Sequence, residues 1–212
     1  MKAITTILLL AVCQFCFAGE DTNVLFMSDW SKPVGTPQGQ TIRVRMLIAQ
    51  GRGACFDGPW PETEFYLDLQ NISCAHGPMQ IYFDPSEQLH CTLLDANGKS
   101  PHGGSGSGGG AGSAWISLPY DSTIRLRANM FGYGNKPGDG LRLCLWPPAQ
   151  DWNIAASDTN IYCLSGTFTV TNHIPKDFTV TGLMTPEQMR LQEVEWSGTI
   201  ELPKMRISLV KP

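Results

Sequence analysis

The sequence predicts an all-β protein, an antiparallel immunoglobulin-like β-sandwich with one short helix near the C-terminus. Three observations predict it. Apolar and polar residues alternate with period two in stretch after stretch. That alternation is the pattern of a strand with one buried and one wet face. Clusters of Gly, Pro, Asn and Asp punctuate the stretches, which is turn chemistry at short spacing. One-face-polar strands with frequent turns suit antiparallel sheets packed face to face, not a parallel α/β core.

The strands read in order as follows. From Thr41, the residues Ile42, Val44, Met46 and Ile48 alternate with Arg43, Arg45, Leu47 and Ala49. Phe65, Leu67 and Leu69 are expected inward, with Tyr66, Asp68 and Gln70 outward. Leu89, Cys91 and Leu93 alternate with His90 and Thr92, and Ile124 and Leu126 with Arg125 and Arg127. Leu141, Leu143 and Leu145 alternate with Arg142 and Cys144, and Tyr162, Leu164, Phe168 and Val170 with Ser165, Thr167 and Thr169. Asp57-Gly58-Pro59, Asp84-Pro85, Asn97-Gly98 and Pro147-Pro148 mark turns between them. Thr185-Pro186-Glu187-Gln188 offers an N-cap, a proline at the first helical position and a Gln three residues after the cap, so a helix is expected from there to Glu195. Two closing strands are expected on either side of Pro203.

Residues 1–18 read as a secretory leader: Lys2, then the apolar run Ile4 to Val12, then small-residue positions ending at Ala18. The run is too short for a membrane span, which takes roughly 20 residues. The mature part, residues 19–212, is expected to be a single domain, secreted or periplasmic, with no membrane insertion. Without Lys2, the 15 basic and 19 acidic residues leave it at −5. Mild acidity without a basic run argues against a nucleic-acid partner. Residues 102–113 hold seven glycines. They are expected to form a mobile loop between two strands of one sheet, with Asp95–Lys99 before it and Trp115–Leu118 after it.

Beyond the leader lie Cys55, Cys74, Cys91, Cys144 and Cys163. Export favours bridging. A hairpin centred on Pro147-Pro148 would set Cys144 opposite Cys163, which makes them the expected disulfide. A strand between Cys55 and Cys74 would hold those two beyond the ~7 Å Cα limit for a bridge.

No residue pattern nominates a catalytic or metal site. Gly104–Gly109 matches G-x-G-x-x-G, but a strand follows it where a dinucleotide site needs a helix. The four histidines show no metal-ligand spacing, and no cofactor is expected. Asn71-Ile72-Ser73 is a glycosylation sequon that matters only in a eukaryotic cell. The six tryptophans stand out. Trp60, Trp146 and Trp152 neighbour proline-rich turns and are the expected ligand-binding residues, since loop tryptophans stack on sugars or anchor partners. Capping the ends of the core is the competing role for the same rings.

Three segments carry a resemblance: Phe65–Ser73, a strand ending in an N-x-S turn; Leu89–Lys99, a strand ending in D-x-x-G-K; and Trp115–Ile124. Over residues 41–170 the chain resembles the β-sandwich domain of the bacterial intracellular proteinase inhibitor family, and exported bacterial proteins with immunoglobulin-like folds. The resemblance implies a fold and carries no inhibitory residue across. The leader departs from an intracellular inhibitor. The expected function is therefore a non-catalytic binding or structural module with a protein or glycan partner. A protease inhibitor presenting the Gly51–Pro61 loop, a carbohydrate-binding module using the loop tryptophans, and a small hydrolase with a dispersed site are the alternatives.

Overall fold

The computed structural model describes residues 24–37, 39–50, 63–73, 78–101, 103, 113–133, 141–145, 150–155, 161–171 and 195–208. They form an all-β structure. Its first strands are β1 (Val24–Met27), β2 (Val34–Gly35), β3 (Thr41–Gln50), β4 (Thr63–Asn71) and β5 (Met79–Phe83). A helical turn, α1 (Pro85–Gln88), precedes β6 (Leu89–Leu94) and β7 (Ala114–Leu118). The chain continues with β8 (Thr123–Tyr133), β9 (Leu141–Leu145), β10 (Gln150–Ile154), β11 (Tyr162–Val170) and β12 (Gly198–Ile207).

Every pairing between these strands is antiparallel. A seven-stranded sheet runs β1-β3-β4-β8-β9-β10, with β2 also on β3. A second sheet is β12-β11-β6 and a third is β5-β7. Their inner faces share one apolar core. The predicted inward sets of β3, β4, β6 and β11 all enter it: Ile42 to Ile48, Phe65 to Leu69, Leu89 to Leu93 and Tyr162 to Val170 at alternate positions. Each such Leu, Ile or Phe contributes roughly 1.5–3 kcal/mol by leaving water, so period-two burial is the main determinant of the register.

The outer face of the large sheet departs from the simple pattern. Leu47, Ala49 and Tyr66 form a second buried cluster there, and Asp68 and Cys144 are buried too. Alternation locates one apolar face; it is silent on what covers the other.

Several connections differ from expectation. The 95–99 turn forms as predicted: Asp95 Oδ1 accepts the N–H groups of Asn97 (2.9 Å) and Lys99 (2.8 Å), and Gly98 has φ 77°. Yet β6 and β7 do not share a sheet. β6 pairs with β11 from Leu89↔Phe168 to Leu94↔Cys163, and β7 pairs with β5, placing Trp115 opposite Tyr82. Partners distant in sequence won over the neighbouring segment. Gly103 lies against β10, where a Cβ would come 1.7 Å from the Asp151 carbonyl oxygen.

The Cys144–Cys163 bridge is also corrected. The strands flanking Pro147-Pro148 do pair, but they are β9 and β10, and their register sets Asp151 opposite Cys144. Cys163 is in the other sheet, between Leu94 and Arg206, and the two thiols are not joined. Cys55 and Cys74 lie outside the described residues.

The expected helix 185–195 lies outside the described residues except for Glu195, which instead makes a parallel bridge to Gln80. The helical turn that is described sits mid-chain at α1, where Asp84 caps the Ser86 N–H and Pro85 opens the turn. The two closing strands are one, β12. Pro203 and Lys204 together oppose Ser165 in a bulge between Leu202↔Gly166 and Met205↔Leu164. A bulge is where a strand tolerates a residue with no N–H.

Asn71, the sequon residue, is fully buried. Its Nδ2 donates to the Leu118 carbonyl (3.0 Å), and its Oδ1 accepts from the Ser73 N–H (3.0 Å) and Oγ (2.6 Å). Ser73 Oγ in turn accepts the Thr41 N–H (2.8 Å). The N-x-S triplet thus latches the end of β4 to β3 and β7, and its amide nitrogen is occupied by the fold.

A candidate binding surface around Trp30

The edge of the large sheet opens into a bulge between β1 and β2. Ser28 faces Met46 and Ser31 faces Val44, so Asp29 and Trp30 together oppose Arg45 alone. At both ends a serine replaces the missing ladder acceptor. Ser28 donates its N–H to the Met46 carbonyl (3.0 Å), and its Oγ accepts the Met46 N–H (2.9 Å). Ser31 does the same with Val44, at 2.8 and 3.0 Å. Both serines are buried, and a buried backbone N–H must be satisfied somewhere. The hydroxyls let the edge strand leave the ladder without orphaning β3.

The extra residues carry Trp30 over the outer face of the sheet. The guanidinium carbons of Arg45 and Arg43 lie 4.5 and 4.8 Å from the centroid of its ring. Cation–π contacts of this kind hold an aromatic ring in place at about 0.5–1 kcal/mol each when exposed.

Behind the ring a charged row crosses three strands in register, Arg45↔Asp68↔Arg125. Asp68, with a side chain 2% exposed, takes Arg45 through Nε (3.0 Å) and Nη2 (2.9 Å). It takes Arg125 through Nε (2.7 Å) and Nη2 (3.1 Å). The Asp68 hydrogen bonds raise the Arg125 guanidinium above its ordinary value, against the opposing effect of burial. One row over, Arg43 Nε donates to Gln70 Oε1 (2.7 Å). Further along, Glu64 accepts from Tyr66 OH and pairs with Arg127 at 3.0 Å. A carboxylate with two bidentate-capable partners is well compensated for its burial. The row therefore acts as a fixed base for Arg45, and Arg45 for Trp30.

Trp30 also lines an open groove of about 920 Å³. Residues 30–34 of the bulge line it from the large sheet; β11 and β12 line it from the second sheet. Ser165, Gly166 and Thr167 contribute from β11, and Thr199, Glu201 and Lys204 from β12. Gly166 is required where it stands: a Cβ there would lie 2.0 Å from the His90 carbonyl oxygen.

The tryptophans chosen from the sequence fall elsewhere. Trp152 is a strand residue of β10, 5% exposed and part of the main core, so it is not a loop ligand-binding residue. Its position beside proline-rich residues suggested a loop, but the strand resumes at Gln150. Trp60 and Trp146 lie outside the described residues. Trp30 is the tryptophan that the sequence marks least. Its one signal is the spacing Ser28-Asp29-Trp30-Ser31, two small hydroxyl residues bracketing an aromatic just before a long alternating strand. Among the described residues no group of three His, Cys, Asp or Glu is placed to hold a metal ion.

Comparison with protein families, characterised proteins and solved structures finds no match to the chain.

Proposed function

We propose that the chain is an exported, non-catalytic binding module of immunoglobulin-like sandwich architecture that holds its ligand in the groove beside Trp30. The sandwich reading is supported by the single core shared by the inner faces of the sheets. The leader-like residues 1–18 support export. The observation that carries the binding reading is the build of the bulge. Two serine hydroxyls and two arginines are committed to holding one half-exposed tryptophan at the rim of a groove. Core packing needs no such arrangement, because Trp30 lies outside both apolar clusters. A preorganised aromatic is the type of residue that dominates binding energy, since little entropy remains to be lost.

The test is Trp30→Ala in the secreted, full chain, screened on a glycan array and in protein capture beside the unaltered chain. Loss of every bound ligand with an unchanged thermal midpoint is expected. Retained binding with Trp30 gone would overturn the site.

A further inference from the structure

We infer that the ligand of this groove is a saccharide bearing carboxylates; the inference rests on the binding reading above and adds its chemistry. Charge is the first argument. Lys32 projects from the bulge and Lys204 from the β12 bulge, both exposed, on the two sides of the groove. Among the described residues Glu201 is the one acidic residue lining it, and Arg43 stands behind Trp30 beside Arg45, whose charge is shared with Asp68. Two lysines against one glutamate on a chain of net charge −4 is a local reversal of sign, and such a field concentrates anions.

The polar lining is the second argument. Ser165 and Thr167 are hydroxyl side chains, able to donate and accept, as sugar hydroxyls require, and Thr199, whose hydroxyl pairs with that of Thr169 (3.1 Å), has one further site. Trp30, lining the groove and held by two arginines, supplies an aromatic ring of the kind on which a pyranose packs.

Third, an acidic peptide fits less well. Extended peptides bind sheets by adding to a free strand edge. Here the β12 side of the groove is interrupted at Pro203, which has no N–H to offer and sits in a bulge. The groove favours a ligand that needs scattered polar contacts and one stacking surface.

Calorimetry on the secreted, full chain tests this with tetramers of galacturonic, glucuronic and mannuronic acid, their carboxyl-reduced counterparts, and a glutamate tetrapeptide. At least one acidic tetramer should bind, its reduced form at least tenfold more weakly, with affinity falling as salt rises. The double substitution Lys32→Gln and Lys204→Gln should abolish the difference between the acidic and reduced forms while leaving the thermal midpoint unchanged. Equal binding of acidic and reduced sugars would overturn the carboxylate inference and leave the Trp30 site standing, provided Trp30→Ala abolished both. Binding insensitive to Trp30→Ala would overturn the site itself. No binding of any acidic tetramer at millimolar concentration, or tighter binding of the peptide, would overturn the saccharide.

Discussion

Ser31 and Val44 are joined twice: the Ser31 N–H donates to the Val44 carbonyl, and the Val44 N–H donates back to the Ser31 hydroxyl. A side chain thereby does the work of a backbone carbonyl at the point where the edge strand leaves the sheet. Removing that oxygen leaves the buried Val44 N–H without its acceptor. Ser31→Ala is expected to cost about 1–3 kcal/mol. It should also release Trp30, seen as a red shift and broadening of its fluorescence in a variant whose other tryptophans are replaced by phenylalanine. An unchanged denaturation midpoint would mean that water replaces the hydroxyl.

Gly166 and Gly98 separate two reasons for glycine. A Cβ at 166 would collide with the His90 backbone, which cannot swing aside. Gly166→Ala is expected to destabilise by about 3 kcal/mol or more, at the upper end of overpacking costs. Gly98 has open space around it but φ +77°, so Gly98→Ala should cost only about 1–2 kcal/mol, the left-handed penalty. Urea denaturation of both variants checks the order; equal losses would contradict it.

Asn71→Asp replaces the buried amide donor with a carboxyl oxygen and adds an ionisable group to a fully buried site. The acceptor oxygen for Ser73 is kept, while the donor to the buried Leu118 carbonyl becomes an oxygen. Two acceptors then face each other in a buried site, and the loss should reach about 2–3 kcal/mol. The Ser73→Ala variant, which removes the other end of the latch, should not add fully to it, because the two residues share one network. Full additivity in chemical denaturation would show that the latch is not a unit.

Burial pushes the Cys91 thiol from 9.0 up to about 12. The fold therefore favours the neutral thiol. An unfolded chain ionises near 9, so this contribution is fully present below that pH and is lost as pH rises through 9 toward 12. Iodoacetamide at pH 8, read by mass spectrometry, should label the half-exposed Cys163 first and leave Cys91 untouched until denaturant is added. Rapid labelling of Cys91 in the folded protein would contradict its burial.

The residues on the inner faces were legible because period-two alternation is itself the physics of a sheet with one dry face. Ile42 to Ile48, Phe65 to Leu69 and Leu89 to Leu93 all fall where alternation puts them. Turn residues were equally readable, since Asp95 and Gly98 act through local hydrogen bonds and a local dihedral. Trp152 was misread because a strand and a loop look alike over a few residues beside a proline pair. The burial of Asn71 was not legible, because a sequon carries no information about whether its amide is exposed.

What the sequence by itself determined was the class of element and the face each residue takes, because those follow from backbone geometry and from neighbours one or two residues away. Only the tertiary structure decided which strands pair, that Cys144 and Cys163 lie in different sheets, and that Trp30 sits on Arg43 and Arg45. Strand pairing is a competition among many segments with similar edges. It is settled by the fit of whole faces in a shared core, so neither a bridge nor a surface assembled from distant strands is written in any one stretch of the chain.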